Sequence, residues 1–483
     1  MSGVGISFGN STASIAVCNG RADVVANDAG ERATATNVAC LENEILTGTP
    51  ATQLHSRQPQ NVVRCLKSLL GQRLEGINSA GAKQNCKLDE HNNEIIVNFS
   101  TCRKSVSSLT KDVFTHIKAT ADSALGESEH ETVIGVPLYS SAQFKEALSK
   151  SATAAGFKVL GTLPEPLAAV LAYDGDKAPE DGNTVVFRVG GSSTSATLIK
   201  SISGCYSVTK HLEEVVGGNQ LDEALGKYLI SEFDRKYKCS MSENTRSVNK
   251  VLRAANLVKH NLSTVQTSEC NVESLYEGMD LQTNVSRPRF ETLAQGGLDK
   301  FVSVLKDLLS KSEGVTVNRV IFAGGSCRIA KLQSLVKNIL PEAAVLSHIP
   351  SGEVLAMGLA QHAYSLLQNP AISNKDNEED GTVPITLCPC DINVRVGDTI
   401  TKVISRSAPL PTTAEVAFTG GDKVSLEADD VSIASIALPS SEEKSSLSIH
   451  IEVFEDCSVE AILKDVNTSE RATIHVPAPA ASA

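Results

Sequence analysis

The sequence predicts an α/β protein of two related lobes followed by a small all-β sandwich. In Thr184–Thr197, apolar residues alternate on both sides of a turn that contains two glycines, and Val4–Val17 repeats this pattern at the start of the chain. Apolar residues at every second position have the period of a half-buried strand. From Val383 to Val476 the chain contains only short alternating segments. The repeated hairpin therefore indicates a duplicated α/β domain, and the tail indicates an antiparallel sandwich.

Length and composition favour a large globular protein. The chain has 483 residues, of which 41% are hydrophobic and 21% charged, and this length predicts about three domains. No apolar run approaches the roughly 18–20 residues that a membrane span needs. The chain enters a strand at once, without the basic segment and apolar core of a signal peptide. We therefore expect a cytosolic protein with no membrane contact.

Cysteine usage and charge argue against two further classes of protein. The 12 cysteines are scattered, which favours reduced thiols over a disulfide framework. Cys388 and Cys390 form the only tight pair, and their spacing matches neither a redox motif nor the usual zinc motif. Residues 1–368 carry a net charge of −1 and residues 369–483 a net charge of −11. Neither part has the basic footprint of a nucleic-acid-binding protein, so we expect no direct contact with nucleic acid.

The segments after the first hairpin alternate between strand and helix patterns. Apolar residues at helical spacing predict helices, and period-two alternation predicts strands. The predicted strands are Val24–Asn27, Val38–Leu41, Ile95–Phe99, Thr132–Val136 and Lys158–Leu160. The predicted helices are Leu109–Leu125, Ser140–Ala155, Glu165–Tyr173 and part of Thr52–Gly71, where Val62, Val63, Leu66, Leu69 and Leu70 form one apolar face.

The same alternation continues after the second hairpin. Strands are predicted at Gly204–Lys210, Glu269–Tyr276, Arg319–Ala323 and Ala344–Leu346. Helices are predicted from Gly217-Gly218 to Phe233, at Lys250–Leu262, Arg287–Leu309 and Glu353–Leu367, and over the apolar residues from Ile329 to Ile339. The strand at Arg319–Ala323 stops at Gly324-Gly325-Ser326, and a helix follows it.

The predicted boundaries give a domain at 1–367, an acidic linker at 368–382, a truncated sandwich at 383–476 and a disordered tail at 477–483. Gln368–Gly381 is polar, acidic and without periodicity, as linkers are. The sandwich strands are predicted around Ile392–Val396, Val416–Phe418, Val424–Leu426, Ile433–Ala437, Ser446–Phe454, Ser458–Leu463 and Ala472–Val476. No long helical pattern follows them.

Both glycine turns are suited to holding an anion. Gly190 and Gly191 permit positive φ and leave no Cβ in the way. Successive backbone N–H groups and the nearby hydroxyls of such a turn can bind a phosphate. Two turns of this kind suggest that the two lobes grip one polyphosphate from both sides. Neither hairpin contains a carboxylate, and the second has Arg188 in the strand that leads to its glycines.

Seven motifs in order resemble the heat shock protein 70 family over about residues 1–367, and the resemblance continues weakly through the tail. They are GISFGNSTASIAV (5–17), NVVRCLKSLLGQR (61–73), PEPLAAVLAY (164–173), VFRVGGSSTSATLI (186–199), SLYEG (274–278), VSRPRFETL (285–293) and AGGSCRIAKLQSLV (323–336). The resemblance implies a two-lobed actin-like nucleotide-binding domain with a small β-sandwich, here without a helical lid. VVANDAGERAT (24–34) resembles the atypical, ribosome-associated branch of that family, whose members form the ribosome-associated complex with a zuotin-type J-domain protein.

The resemblance also implies a nucleotide site. Its implied contacts are Gly9, Asn10, Ser11, Thr12, Lys67, Arg188, Gly190, Gly191, Ser192, Ser193, Gly217, Gly218, Lys259, Ser263, Gly324, Gly325, Ser326 and Arg328. Lys67 matches the lysine that faces the phosphates, and Glu165 matches the hinge glutamate that orders water and metal. The family's glutamate and arginine beside the adenine are replaced by Asn256 and His260, so the adenine contacts are altered.

Three departures bear on catalysis. Active members have aspartates where this chain has Ser7, Arg188 and Ser195, and those carboxylates hold hydrated Mg²⁺ and help to position the attacking water. Mg²⁺ prefers oxygen ligands, and loss of a positioned base typically costs ~10²–10⁴ in rate. The expected ligand is therefore ATP, with the Mg²⁺ site in doubt, no metal ligands assigned, and little or no hydrolysis. Glu165 and Lys67 remain as residual catalytic candidates.

These observations predict an atypical chaperone subunit that is ATPase-deficient. With its J-domain partner on the ribosome, it would help a separate active heat-shock chaperone to fold nascent polypeptides. One alternative is an active chaperone that hydrolyses ATP slowly with Glu165 and Lys67. Another is a small-molecule kinase of the actin-like superfamily, which would need a carboxylate base that neither hairpin supplies.

The sequence also allows simpler interpretations of individual residues. Lys67 could be a solvated lysine, and Glu165 a carboxylate favoured by the dipole at a helix start. Arg188 could turn away from any ligand and pair with Glu213 or another acid. The sandwich could release peptides quickly, serve a dedicated partner, or act only as an acidic solubilising domain.

Overall fold

The structure is a computed structural model that describes most of the chain. The described residues are 2–42, 44–74, 77, 84–126, 128–175, 181–202, 205–312, 314–368, 391–397, 399–404, 412–419, 423–428, 431–437, 446–454, 458–465 and 471–476. The predicted acidic linker (apart from Gln368), the Cys388/Cys390 pair and the predicted disordered tail lie outside them. The domain boundaries therefore stay predictions.

The first lobe alternates short strands with five helices. Its strands are β1 (Gly3–Phe8), β2 (Thr12–Cys18), β3 (Ala22–Val24), β4 (Thr34–Ala35), β5 (Val38–Cys40), β6 (Ile45–Thr47), β7 (Val62–Val63), β8 (Lys87–His91), β9 (Glu94–Asn98), β10 (Arg103–Ser105), β11 (His130–Val136) and β12 (Phe157–Pro164). Its helices are α1 (Thr49–His55), α2 (Leu66–Leu69), α3 (Val106–Leu125), α4 (Ala142–Ala154) and α5 (Glu165–Asp174).

The second lobe follows the same plan, and a β-rich region follows it. The second-lobe strands are β13 (Gly182–Val189), β14 (Thr194–Ile202), β15 (Cys205–Glu214), β16 (Thr267–Tyr276), β17 (Met279–Ser286), β18 (Arg319–Ala323) and β19 (Ala344–Leu346). Its helices are α6 (Gly218–Tyr237), α7 (Thr245–Leu262), α8 (Arg287–Ser310) and α9 (Ala330–Ile339), after which α10 (Val354–Gln368) returns to the sheet of the first lobe.

The main sheets of the two lobes have equivalent topology. In the first, the order is β12-β11-β1-β2-β3, with β1 antiparallel to β2 and parallel to β11. In the second, the order is β15-β14-β13-β18-β19, with β13 antiparallel to β14 and parallel to β18. Each sheet thus joins an antiparallel meander to two parallel strands. The predicted two-lobed α/β fold is confirmed, and the two glycine turns occupy equivalent places in it.

Helix α10 packs unusually closely on the first sheet. A Cβ on Gly5 would lie 2.1 Å from the backbone N of Ala360, and a Cβ on Gly3 would lie 2.2 Å from that of Tyr364. On another face of α10, a Cβ on Gly358 would lie 1.8 Å from the carbonyl oxygen of Ala168 in α5. Only glycine permits these approaches. They fix β1, and hence the first glycine turn, relative to α5 and its first residue Glu165.

Two expectations about the first lobe are wrong. Val62 to Leu70 do not form one helical face, because Val62 and Val63 belong to β7 and only Leu66–Leu69 is helical. Cys65 between them has φ of 55°, in the left-handed region that interrupts a helix. The thiols are also not all reduced, since a disulfide joins Cys40 at the end of β5 to Cys102 before β10.

The β-rich region is a sandwich of two four-stranded antiparallel sheets. Its strands are β20 (Ile392–Val396), β21 (Thr399–Ile404), β22 (Thr412–Thr419), β23 (Lys423–Ala428), β24 (Val431–Ala437), β25 (Ser446–Val453), β26 (Val459–Asp465) and β27 (Arg471–Val476). The sheet orders are β21-β20-β23-β24 and β22-β25-β26-β27. Val394, Leu426 and Ile449 are among the buried residues of its core. The sequence did not predict β21, because the buried residues Val403 and Ile404 are adjacent at its end and give no alternation.

Among the described residues, the helices are all too short or too polar to cross a membrane.

Candidate functional site

The two glycine turns have the same closed geometry and touch each other. The Gly9 amide donates to the Thr12 carbonyl at 3.0 Å, and the Gly190 amide donates to the Ser193 carbonyl at 2.9 Å. Between the lobes, the Asn10 side-chain amide donates to Ser192 Oγ at 2.7 Å. The structure therefore brings together the two segments, Gly9–Thr12 and Gly190–Ser193, that the sequence analysis predicted as phosphate contacts.

Glycine is required in the second turn because its neighbours lie so close. A Cβ on Gly191 would lie 2.0 Å from Ser11 Oγ, and a Cβ on Gly217 would lie 2.6 Å from the Ser192 amide nitrogen. The Gly218 amide donates to the Gly190 carbonyl at 2.9 Å, and the Asn219 amide to the Gly191 carbonyl at 2.8 Å. The N-terminus of α6 thus anchors the turn and places Gly217 and Gly218 against it.

The backbone of the turns retains donors for an anion. Of the described residues, none accepts a hydrogen bond from the amides of Asn10, Ser11, Gly191 or Ser192. Exposed backbone N–H groups on adjoining turns form a concave site of the kind that binds phosphate. The structure therefore leaves amide donors on both turns, and the contacts of individual residues with a polyphosphate stay predictions.

Three charged side chains meet beside these turns. Lys67 Nζ contacts Glu165 Oε1, and Arg188 Nε contacts Glu165 Oε2 at 2.8 Å. Lys67 and Glu165 are buried, and the Arg188 side chain is 15% exposed. Lys67 comes from α2, Glu165 begins α5, and Arg188 lies in β13. We call these three residues the Lys67–Glu165–Arg188 cluster.

The cluster holds Glu165 in its charged form. Burial on its own would raise the pKa of Glu165, but the charges of Arg188 and Lys67 oppose burial and lower it below its usual value. For Lys67, burial lowers the pKa, with Glu165 acting against that shift and Arg188 adding to it. Two cations therefore share one buried carboxylate, and neither oxygen of that carboxylate is without a cationic partner.

Arg188 also reaches the second turn and the neighbouring strand. Its Nη1 donates to Ser193 Oγ at 3.1 Å and lies 3.8 Å from Glu213 Oε1 on β15. Pairing of Arg188 with Glu213 or another acid was one of the alternatives left open, and the structure contains both a close pair with Glu165 and a longer one with Glu213. Ser195 lies opposite both Arg188 and Glu213 in the sheet register and is buried. Ser7 in β1 lies opposite Ser14.

A second ion pair supports the other side of the turn. Lys259 Nζ lies 2.8 Å from Asp222 Oδ1 and donates to the Gly218 carbonyl at 3.2 Å. The Asn256 side-chain amide also donates to Asp222, at 2.9 Å. Sequence reasoning named Lys259 and Asn256 but missed Asp222. The available signal was an acidic residue next to Leu221 on the apolar face of α6, where an unpaired carboxylate would be costly.

The remaining predicted contacts surround this ion pair. Ser326 Oγ donates to the Gly190 carbonyl at 3.1 Å. Gly324 has φ of 88°, and a Cβ on it would lie 2.4 Å from the Val189 carbonyl oxygen, whereas a Cβ on Gly325 would meet open space. Ser263 lines a small pocket with Lys259 and Ile329. Arg328 is exposed and lies against Gly352 rather than against the turns.

The site does not fit a magnesium ion in this arrangement. Over the described part of the chain, no three His, Cys, Asp or Glu side chains cluster closely enough to hold a metal ion. Glu165 is a buried carboxylate beside the turns, and both its oxygens contact cations. Mg²⁺ requires oxygen ligands, directly or through water, and the two cations would repel it.

Comparison with known proteins gives concordant matches. Residues 3–437 match the family described as Hsp70 protein. Heat shock 70 kDa protein 14-B of Xenopus laevis is 36% identical over 484 residues, covering 96% of this chain and 92% of its own. Heat shock 70 kDa protein 14 of Danio rerio is 35% identical, covering 85% and 84%. The Homo sapiens protein of the same name is 37% identical, covering 76% and 74%.

Proposed function

The chain belongs to the Hsp70 family, and from this premise we propose that it is a chaperone subunit that binds ATP and hydrolyses it little or not at all. The observation that carries the proposal is the Lys67–Glu165–Arg188 cluster. A general base must reach the proton that it abstracts. Glu165 contacts two cations and has a lowered pKa, so it is a poor proton acceptor in this state.

Loss of hydrolysis need not remove binding. Ser7, Arg188 and Ser195 stand at the positions where the resemblance expects carboxylates, but the donors of both turns are backbone amides and hydroxyls. Lys259 is held in place by Asp222, independently of those three positions. Binding energy from these groups does not depend on a catalytic carboxylate. The chain would therefore retain ATP, with its two lobes held together by the nucleotide.

We extend the proposal to the protein's partners. The resemblance of VVANDAGERAT (24–34) to the ribosome-associated branch supports a cytosolic complex with a zuotin-type J-domain protein. In that complex the chain would act at the ribosome, where a separate active chaperone of the same family receives nascent polypeptides. The sandwich would hold a peptide or a partner segment by strand addition, since an open sheet edge offers unpaired main-chain groups.

Two measurements test this function. Calorimetry should detect ATP binding to the full chain, and phosphate release should stay at the buffer background with or without the J-domain protein. Sedimentation with ribosomes should carry the chain into the pellet only when that partner is present. Phosphate release that the J-domain protein stimulates would support the alternative of a slow but active chaperone. Sedimentation without the partner would remove the proposed dependence on it.

A further inference from the structure

We propose that this site takes ATP as the free triphosphate, without Mg²⁺, and that Arg188 and Lys67 supply the neutralising charge. The inference rests on the proposed ATP binding and adds the chemical form of the ligand. It follows from the disagreement between a metal-dependent family site and the groups present in this chain. Four observations carry it: the missing oxygen ligands, the place of the guanidinium, the balance of buried charge and the free amides of the turns.

The oxygen ligands for a hydrated metal are missing around the turns. Ser7 and Ser195 have neutral hydroxyls, and Arg188, opposite Ser195 in the sheet, contacts Glu165. In the described segments, no group of three or more His, Cys, Asp or Glu side chains is placed to hold a metal ion. A hydroxyl binds Mg²⁺ more weakly than a carboxylate does because it brings no charge. The described part of the chain thus offers no carboxylate set that would hold Mg²⁺ alongside a triphosphate.

The Arg188 guanidinium lies directly under the second turn. Its Nη1 donates to Ser193 Oγ at 3.1 Å, and a Cβ on Gly190 would lie 3.7 Å from its Nη2. Its Nε is fixed by Glu165 at 2.8 Å. With Nε on Glu165 and Nη1 on Ser193, the guanidinium still has Nη2 and a second proton on Nη1 to donate to phosphate oxygens. The guanidinium is therefore held in advance within the anion-binding turn.

The buried charge around the cluster favours an anion. Lys67 and Arg188 contribute two positive charges, and Glu165 contributes one negative charge. Glu213 is 3.8 Å from Arg188, but its side chain is 38% exposed and is therefore screened by solvent. Lys259 is balanced separately by Asp222. Two basic side chains thus face one fully buried carboxylate, and a triphosphate would add negative charge beside them.

A bound divalent cation would add positive charge to the cluster. Added to the cluster, Mg²⁺ would face two fixed cations at short range, where charge interactions are strong because solvent is largely excluded. It could bind only if Arg188 moved away and released Glu165. The free triphosphate requires no such rearrangement, and the free amides of Asn10, Ser11, Gly191 and Ser192 add further donors to it.

Calorimetry of the full chain with ATP tests the inference in two buffers, one with excess EDTA and one with excess MgCl₂. We expect ATP to bind in EDTA at least as tightly as in MgCl₂. Binding in MgCl₂ together with no binding in EDTA would overturn the metal-free inference and leave the proposed function intact. Absence of binding in both buffers would overturn both. Hydrolysis in MgCl₂ would overturn the proposed function alone. All of these outcomes are measured on the wild-type chain, so none of them depends on the folding of a variant.

Two substitutions sharpen the test. Arg188→Met should weaken ATP binding in EDTA by about 10- to 100-fold, as expected when a hydrogen bond to a charged group is lost. Arg235→Met removes an exposed guanidinium from α6, whose side chain is 76% exposed, and should leave affinity unchanged. The conservative Arg188→Lys should recover part of the lost affinity. Equal affinities of Arg188→Met and wild type in EDTA would show that the guanidinium does not contact phosphate.

Discussion

Replacing Arg188 with methionine should lower the free energy of unfolding by about 2–3 kcal/mol. The side chain is 15% exposed, contacts Glu165 at 2.8 Å and donates to Ser193 Oγ at 3.1 Å. A hydrogen bond to a charged group contributes about 1.5–3 kcal/mol, and breaking a buried ion pair costs about 3–5 kcal/mol. Glu165 keeps Lys67 as a partner in the variant, so we expect a loss in the upper part of the first range rather than in the second.

Urea unfolding at neutral pH, followed by circular dichroism, measures this loss. Arg235→Met is the matched control because its partner Glu232 lies on the same exposed face of α6, and surface ion pairs are worth about 0–1 kcal/mol. A loss for Arg188→Met no larger than that of the control would refute the reasoning. It would mean that the guanidinium is not engaged with the buried carboxylate.

The pH dependence of the same difference provides an independent check. The pKa of Glu165 is lowered from 4.5 in the folded chain, so its charged form stabilises the fold above that pH and the contribution is lost as the pH falls through the folded value. Without Arg188, burial is opposed by Lys67 alone, so the pKa of Glu165 should rise. The difference in unfolding free energy between wild type and variant should therefore be full at neutral pH and narrow as the pH falls. A difference that is constant with pH would contradict this coupling.

Three further predictions concern other parts of the chain. Removing the disulfide with Cys40→Ser should lower the free energy of unfolding by about 4 kcal/mol, because its partner Cys102 is 62 residues away. Thermal unfolding should show this difference from wild type in oxidising buffer, and an equal difference in dithiothreitol would contradict the prediction. Gly217→Ala would place a Cβ 2.6 Å from the Ser192 nitrogen and should weaken ATP binding at least about tenfold, whereas Gly296→Ala meets open space and should not; equal affinities by calorimetry would contradict it. Burial lowers the pKa of His362 from 6.5 to about 4, so its contribution to the free energy of unfolding should be full above pH 6.5 and fall by about 2 kcal/mol at pH 5. In urea unfolding, His362→Leu should make the free energy of unfolding less dependent on pH between 6.5 and 5. The same pH dependence in wild type and variant would contradict this prediction.

The hairpins and most of the helices could be predicted because their periodicity records which side is buried. Val185, Phe187 and Val189 alternate with other residues along the sequence of β13. Helix α3 places Val113, Ile117 and Ala121 on one buried stripe. The break at Cys65 could not be predicted in this way. Val62, Val63 and Leu66 are all buried, so their hydrophobicity is the same whether the segment is helix or strand, and tertiary pairing of β7 with β5 decides between them.

The sequence indicated which residues form the Lys67–Glu165–Arg188 cluster but not the ion pairs between them. Sequence motifs brought out Lys67, Glu165 and Arg188 as separate candidates, and local reasoning offered Glu213 as a partner for Arg188. The contact with Glu165 depends on how β13 of the second lobe meets α5 of the first, which no local pattern specifies. Asp222 was not predicted for a related reason, since it forms an ion pair with Lys259, which lies on a different helix.

The fate of bound ATP tests the claim of binding without hydrolysis most directly. The full chain is mixed with a substoichiometric amount of ATP in excess MgCl₂, quenched with acid at intervals over several hours, and its nucleotide is separated by chromatography. We predict that the bound nucleotide stays ATP throughout, at the level of a protein-free control. Conversion of the bound ATP to ADP in a single turnover, at a rate comparable with that of an active Hsp70 family member, would contradict the claim.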